Sequence, residues 1–270
     1  MKRMHFALAA VLLAVMACSG GKTSQPAEEE YCEEEPLPER FENDDLPKAA
    51  DEVFDDFAYY FASNEHLQRR RINFPLTLES SRGKSLLEEE QWRMDSLFMT
   101  TGEYTFILDN PDQREQMNDS TMNVVTVEKI FFDADSVCQY IFCRNEGRWM
   151  LQGLRQQKLS DNANAPFLGF FHAFATDSAF QQNSLSSEIV FSGPDPDDDF
   201  ARMEGFITPD SWEAFAPELP QDSIYNIVYT KLNNRSSEKT LFVCGISNGQ
   251  ELELTFRQRR GKWRLTRLTQ

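Results

Sequence analysis

The sequence predicts an α+β protein made of two similar halves, each with N-terminal helices packed on a curved antiparallel sheet. Residues 54–76 resemble residues 167–189 when the chain is shifted by 113 positions (167 minus 54). The end of each half repeats as well, since residues 142–154 resemble residues 256–268. This period is too long for a solenoid repeat, so each copy is long enough to form a domain.

Phenylalanines at helical spacing open each half. They are Phe54, Phe57 and Phe61 in the first half and Phe167, Phe170, Phe171 and Phe174 in the second. This spacing predicts an amphipathic helix, and rings on one helix face usually fill a core.

A first strand is predicted after each helix, at residues 72–78 and 187–192. The middle segment at residues 85–98 has the composition of a helix. Residues 88–98 match residues 197–207 weakly, which places Asp95 opposite Glu204. Alternating apolar residues then predict four strands per half, joined as an antiparallel meander. The predicted strands cover residues 103–108, 123–132, 137–144 and 148–156, then 224–231, 239–247, 250–258 and 262–268.

The first residues are typical of a targeting signal. A basic start and an apolar run, too short to span a bilayer, end at Cys18 and predict a signal peptide at residues 1–17. The residues around Cys18 resemble a bacterial lipobox, which implies acylation of Cys18 and anchoring to the outer membrane, on its periplasmic or surface face. An ordinary signal peptide with a chance cysteine is the alternative.

Composition sets the remaining boundaries. Residues 18–46 are acidic, rich in proline and without apolar periodicity, which predicts a disordered tether. The first domain is predicted at residues 47–156, a polar linker at 157–165 and the second domain at 166–270. The formal net charge is −17, and this acidity argues against a nucleic-acid partner, which would need a basic patch.

Four cysteines remain after Cys18, and their spacing shows no disulfide pattern. Cys138 and Cys143 are expected on opposite faces of a strand and therefore unpaired with each other. Cys143 and Cys244 lie in apolar strand sequence, where buried free thiols are expected. Whether Cys32 and Cys138 form disulfides stays open.

Each half resembles the cone-shaped α+β fold of the nuclear transport factor two-like and cystatin-like class. The resemblance rests on the two phenylalanine-rich helices, which continue as Phe-Ala-Ser-Asn and Phe-Ala-Thr-Asp, and on the two Gly-[Arg/Lys]-Trp hairpins at residues 147–149 and 261–263. The whole chain resembles exported lipoproteins with two such domains in tandem. The resemblance implies duplicated cone-shaped domains, and it implies no particular activity.

Candidate catalytic residues are few. The candidates for a general base are His172 in the second helix, and Asp95 and Glu204 in the middle segments. For each of them a structural role is the favoured interpretation. No metal-ligand spacing, phosphate-binding loop or nucleophile elbow is present in the sequence, so neither a metal nor a cofactor is expected. Five rings are predicted near the cavity mouths, with core packing as the equal alternative: Trp92, Tyr104, Trp149, Trp212 and Trp263.

Three functions are compatible with these features. The first is a membrane-anchored, non-enzymatic binding or structural module for a small apolar ligand or a protein. The second is an isomerase or hydrolase that acts in one cone pocket. The third is an assembly protein that pairs through its sheet faces. Strong fold signals without catalytic signals favour the first function.

Overall fold

The computed structural model describes residue 32 and residues 48–195, 198–229, 236–246 and 248–270. The predicted signal peptide, Cys18 and all of the predicted tether except residue 32 lie outside these residues. Each half begins with a helix pair, α1 (Phe54–Ser63) with α2 (Glu65–Arg70) and α3 (Ala165–Thr176) with α4 (Ser178–Asn183). No helix in the described ranges has the length and apolar character needed to span a bilayer.

A polar residue separates the two helices of each pair and caps the second one. The Asn64 side chain accepts a hydrogen bond from the Leu67 N–H at 3.0 Å, and the Asp177 side chain accepts one from the Phe180 N–H at 2.9 Å. Both are N-cap interactions, which satisfy an N–H group that has no partner inside the helix. The two halves therefore start their second helices by the same local chemistry.

All the described strands belong to one 12-stranded sheet. The first half contributes β1 (Ile72–Ser80), β2 (Gly83–Leu87), β3 (Glu103–Leu108), β4 (Val124–Phe131), β5 (Ser136–Asn145) and β6 (Arg148–Lys158). The second half contributes β7 (Leu185–Asp195), β8 (Asp198–Ile207), β9 (Ser223–Val228), β10 (Glu238–Gly245), β11 (Glu251–Arg259) and β12 (Lys262–Thr269). The predicted hairpins join β5 to β6 and β11 to β12, with Gly147 and Gly261 at φ of 78° and 76°, a conformation that glycine adopts without strain.

Strands β1–β6 of the first half correspond in order to β7–β12 of the second. With corresponding strands treated as equal, the strand order reads the same from either edge of the sheet. It runs β2-β1-β6-β5-β4-β9-β3-β10-β11-β12-β7-β8. The third strand of each half lies among the strands of the other half, because β9 pairs with β4 and β3 pairs with β10, both antiparallel. β3 and β9 run parallel at the centre. The predicted meander is therefore wrong at its first connection in each half, because β3 does not pair with β4 and β9 does not pair with β10.

The two cores lie on opposite faces of this sheet. Along β3, Phe106 packs in the core with α1, whereas its neighbour Ile107 packs in the core with α3. Along β9, Ile227 and Ile224 divide between the same two cores. Successive side chains of a strand point to opposite faces, so α1 and α3 cover opposite faces and each core uses central strands from both halves.

The middle segments differ from the predicted helix. Residues 83–87 form edge strand β2, and residues 89–91 and 97–100 form short 3-10 turns. In the second half, residues 198–207 form edge strand β8, followed by a 3-10 turn at Pro209–Ala214. Hairpin pairing with the preceding strands β1 and β7 supplies backbone hydrogen bonds along one side of these segments, and such pairing overrides helix propensity.

A glutamine–tryptophan pair ties each middle segment to its helix pair. The Trp92 indole N–H donates to the Gln68 side-chain oxygen at 2.9 Å, and the Trp212 indole N–H donates to that of Gln181 at 2.8 Å. Since Gln68 and Gln181 match in the sequence repeat, Trp92 corresponds to Trp212. The weaker sequence match, which placed Asp95 opposite Glu204, is therefore wrong.

A buried ion pair joins the start of the first half to its sheet. The guanidinium of Arg71, a residue only 1% exposed, donates to both carboxylate oxygens of Asp51 at 2.9 and 2.8 Å. Asp51 also accepts a hydrogen bond from the Trp149 N–H at 3.0 Å. These bonds satisfy charges that would otherwise be costly to bury.

A disulfide joins Cys32 to Cys143 on β5, whereas Cys138 and Cys244 are free. The expectation of a free thiol at Cys143 is therefore wrong. Cys32 lies in acidic sequence without apolar periodicity, which gave no sign of contact with the sheet.

Candidate functional site

A cavity of about 290 Å³ lies between α1 and the central strands of the sheet. Its wall comes from α1, the turn at residues 97–100, and strands β3, β9 and β10 with the residue that follows β10. The lining residues include Asp55, Ala58, Tyr59, Phe98, Tyr104 and Ile246. The exchange of β3 and β9 therefore builds this wall from both halves of the chain.

Aromatic rings form much of the wall. The Phe98 and Tyr104 ring centroids are 5.3 Å apart, and Tyr59 is 40% exposed at the opening. Burial raises the pKa of the Tyr104 hydroxyl above its usual value, as do the nearby Asp55, Cys244 and Glu251. Tyr104 is therefore a neutral group at physiological pH and can donate a hydrogen bond.

Two carboxyl groups at the first turn of α1 line the cavity. Asp56 is exposed, whereas Asp55 is half-buried. The hydroxyl of Tyr229 donates a short hydrogen bond to its carboxylate, and the Tyr229 ring stacks on Phe106 with centroids 5.8 Å apart. Burial raises the pKa of Asp55 from 3.8 to about 6, the hydrogen bond from Tyr229 opposes the rise, and repulsion from Asp56 adds to it. A carboxyl group of this kind can change its protonation state near neutral pH.

The matching location in the second half is filled by apolar side chains. The residues there are Leu168 for Asp55, Phe171 for Ala58, His172 for Tyr59 and Phe132 for Ile246. Leu168 and Phe171 are fully buried, and His172 stacks on Phe132 with centroids 4.7 Å apart and planes 3° from parallel. The carboxyl group in the cavity is thus a property of the first half and no requirement of the fold.

His172 and Glu204 do not lie on the cavity wall. His172 is half-buried, and its ring stacks on Phe132. Glu204 lies exposed on edge strand β8, and the two belong to different parts of the second half. The structure does not bring the three predicted candidate bases together.

Asp95, the third candidate, connects the middle segment to the sheet. Its carboxylate accepts hydrogen bonds from the Tyr140 hydroxyl and from the Leu97 N–H, the latter at 2.9 Å. The Lys129 ammonium lies 3.8 Å from the same carboxylate. The backbone of Asp95 is held by the Gln68 side chain, which donates to its carbonyl at 2.8 Å and accepts from its N–H at 3.0 Å. All of these contacts serve to position the segment.

Of the five predicted cavity rings, only Tyr104 lines the described cavity. The other four are tryptophans packed within the two cores: Trp92 at 4%, Trp149 at 0%, Trp212 at 3% and Trp263 at 9% exposure. Tryptophan buries more apolar area than any other side chain, which favours the core position. Trp149 packs edge-on to Phe54 at 5.1 Å, and Trp263 packs edge-on to Phe167 at 5.5 Å.

Asp55 and Tyr229 were not among the candidates found in the sequence. A comparison of the two copies could have identified Asp55, because an acidic residue there replaces a leucine that packs in the other core. No local signal marks Tyr229, since it reaches Asp55 only through the exchange of strands.

The described residues contain no group of three or more His, Cys, Asp or Glu side chains placed to bind a metal ion. Burial raises the pKa of the two free thiols, to about 11 for Cys138 and about 12 for Cys244. Both are therefore protonated and unreactive near neutral pH.

Comparisons with known proteins identify the family. A family model described as a domain of unknown function, DUF4348, matches residues 33–270. Among solved structures, the chain is similar to the crystal structure of an NTF2-like protein from Bacteroides fragilis NCTC 9343, with 37% sequence identity and a TM-score of 0.75. The match covers 83% of this chain and 98% of that one. No protein of curated function has a significant match.

Proposed function

The chain belongs to the DUF4348 family, and we propose that it is a lipid-anchored binding protein of the cell envelope that holds a small, largely apolar ligand in its first half. The observation that carries the proposal is the cavity between α1 and the sheet, about 290 Å³ in volume. Rings cover much of its wall, and the half-buried Asp55 and the exposed Asp56 supply polarity, a composition typical of small-molecule sites.

The proposal includes a tandem duplication of cone-shaped domains. The palindromic strand order, the two matched helix pairs and the two glutamine–tryptophan bonds support it. A duplicated domain frees one copy to keep the shared fold while the other acquires a site. The apolar filling of the second half, with Leu168 in place of Asp55, agrees with this division of roles.

The lipid anchor is proposed on the sequence around Cys18. In a native host, the full-length chain is expected in the membrane fraction, with a mass increased by the acyl groups. Cys18→Ala should move the protein to the soluble fraction, because one or two acyl chains supply the membrane affinity. Unmodified mature protein in the membrane fraction would contradict the anchor without affecting the proposed ligand site.

Cavity filling tests the ligand site. Ala58→Phe introduces the side chain that Phe171 supplies in the second half, so the fold has a precedent for it. Small apolar molecules that raise the melting temperature of the wild-type protein should have no effect on Ala58→Phe. Tyr60→Phe is the matched control, since Tyr60 is 40% exposed beside the site and outside the cavity wall. Equal ligand-induced shifts in both variants would show that the ligand lies elsewhere.

An isomerase-type activity is the second candidate, because the pKa of Asp55 is raised to about 6 in a cavity that also holds the Tyr104 hydroxyl. A carboxylate with a pKa near neutrality is suited to abstract a proton, and a nearby hydroxyl can stabilise an oxyanion. The test is deuterium incorporation beside the carbonyl group of small ketones in D₂O. Exchange that Asp55→Asn abolishes would support this candidate, and exchange equal to buffer alone would exclude it for the ketones tried.

A further inference from the structure

Two acidic groups at the cavity are not compensated by a described cation. Asp55 and Asp56 both line it, and among the described residues no Lys or Arg lies within ion-pair distance of either carboxyl group. The guanidinium of Arg114, whose charge opposes the rise in the pKa of Cys244 on β10, is paired with another carboxylate. It lies 2.6 Å from the Glu251 carboxylate and 4.9 Å from the centre of the Phe242 ring.

Helix stability alone does not explain these acids. Acidic residues in a first turn favour a helix through its dipole, which is the plain structural role for Asp55 and Asp56. However, α3 begins without any acidic residue in its first turn. Its Leu168 and Gly169 match the two acids of α1, so the fold forms without them.

Aromatic rings lie beside the two acidic residues in the cavity wall. Tyr59, Phe98 and Tyr104 line the same cavity, and the faces of aromatic rings attract organic cations, more strongly where water is excluded. A neutral apolar ligand would use the rings and leave both acids without a counter-charge. An anionic ligand would be repelled by both carboxylates.

We propose that the cavity binds a small organic cation, an alkylammonium or arylalkylammonium, with its charge at Asp55 and Asp56 and its apolar body against Phe98 and Tyr104. This inference rests on the proposed binding function and specifies its ligand class. The cavity volume of about 290 Å³ suits a molecule about as large as a substituted benzylamine.

The groups that face Asp55 determine how binding depends on pH. They are Asp56 on its own helix, Tyr104 on β3, Tyr229 after β9 and Cys244 on β10. The pKa values of both tyrosines and of Cys244 are raised, that of Cys244 to about 12. These three groups therefore stay neutral between pH 5 and pH 8, whereas the pKa of Asp55, about 6, falls in that range.

Proton linkage follows from this arrangement. A cation favours the ionised form of Asp55, so its binding must release a proton where that carboxyl group is protonated in the free protein. With a pKa of about 6, Asp55 is ionised at pH 7.5 and about one-tenth ionised at pH 5.0. A permanently charged ligand should therefore bind about tenfold more weakly at pH 5.0.

The experiment uses two probes of the same shape. Benzyltrimethylammonium carries a charge that does not titrate, and 2,2-dimethylpropylbenzene is its neutral isostere. Binding of each to the intact protein is measured by calorimetry or ring-proton NMR at pH 7.5 and pH 5.0. At pH 7.5 we expect the cation to bind at least tenfold more tightly than the neutral isostere. Its affinity should fall about tenfold at pH 5.0, and Ala58→Phe should prevent its binding.

Variants assign the effect to the carboxyl group. Asp55→Asn should remove both the preference for the cation and the pH dependence. Glu188→Gln, which removes one exposed charge from the second half, should change neither. Equal affinity of the wild-type protein for the two probes would overturn this inference and leave the proposed binding function standing. Failure of both probes to bind at millimolar concentration would overturn both, and cation binding that persists in Ala58→Phe would overturn the inference by placing the cation outside the cavity.

Discussion

Replacement of Asp55 by Asn should change the free energy of unfolding in a way that depends on pH. Relative to the wild-type protein, the variant should become more stable as the pH rises from acidic to neutral. In the wild-type protein, the carboxyl group loses water when the chain folds, and the hydrogen bond from Tyr229 does not fully compensate. The amide of Asn has nearly the same shape and can still accept this hydrogen bond. The two proteins then differ in a single titrating group at the cavity.

The sign follows from the raised pKa. The unfolded Asp55 ionises near its ordinary value of 3.8, whereas the folded one ionises at about 6. Between these values the folded state holds a proton that the unfolded state has lost, so the free energy of unfolding falls as the pH rises. One pKa unit corresponds to about 1.4 kcal/mol, so the full penalty above the folded pKa is about 3 kcal/mol. Between pH 4.5 and pH 7.5 the change is about 2 kcal/mol, since part of the transition lies below this range.

Urea unfolding of both proteins at pH 4.5, 5.5, 6.5 and 7.5 measures this quantity. All other titrating groups are shared, so their contributions cancel in the difference between the two free energies of unfolding. That difference should shift in favour of Asp55→Asn by about 2 kcal/mol as the pH rises. Glu188→Gln provides the control for net charge, and its difference from wild type should stay constant.

The reasoning would be refuted by a difference that does not depend on pH, which would mean that Asp55 titrates normally in the folded protein. A shift of the opposite sign would be a stronger contradiction. It would mean that the hydrogen bond from Tyr229 outweighs burial and that the carboxyl group is held ionised.

Three further predictions concern stability, each measured by chemical or thermal unfolding. Gln68→Leu should cost about 3–5 kcal/mol, because it leaves four buried or partly buried hydrogen-bond partners unsatisfied. Gln181→Leu should cost about half as much, with two described partners, and equal costs would contradict this reasoning. Cys143→Ser should cost about 4 kcal/mol by opening a loop of 111 residues, whereas Cys138→Ser, which removes a free thiol, should cost far less. A reductant that fails to lower the stability of the wild-type protein to that of Cys143→Ser would argue against the disulfide. Arg71→Met should cost about 3–5 kcal/mol by leaving a buried carboxylate without its cation, and a loss below about 1 kcal/mol would show that water reaches that carboxylate.

Features encoded in local sequence were predictable. The phenylalanine spacing in α1 and α3 predicts helices, because one face must be apolar every three to four residues. The glycines at 147 and 261 predict hairpins, because the turns need a positive φ. In both cases the controlling interaction lies within a few residues, so a short window of sequence contains it.

The middle segments show where this local reasoning fails. Residues 85–98 have helix-forming composition, yet residues 83–87 pair with β1 as an edge strand. The helix of fewer than four turns that the composition favours is marginal by itself. The strand hydrogen bonds of a hairpin with β1, which residues 81 and 82 join to β2, decide the outcome instead. Asp95 was accordingly matched to Glu204 on a helix that does not exist.

The candidate site, in contrast, depended on contacts between residues far apart in the chain. The Asp55 carboxyl group was overlooked because acidic residues at the start of a helix are ordinary. Its importance comes from Tyr229, 174 residues further along the chain. The aromatic wall could be anticipated only at Tyr104, whereas the tryptophans, which looked equally suited to it, fill the cores.

The sequence alone determined that the chain has two similar halves, that each opens with an aromatic helix, and that hairpins of strands close each half. Hydrophobic periodicity and turn chemistry act over short distances along the chain, and both signals occur in each half. Only the tertiary structure decided that β3 and β9 change places and that the two cores lie on opposite faces of one sheet. Strands are joined by backbone hydrogen bonds, which are the same for every partner, so the sequence of β3 cannot distinguish the matching neighbours β4 and β10. That exchange brings Tyr229 to Asp55 and thereby builds a cavity whose chemistry differs from that of the matching location in the second half.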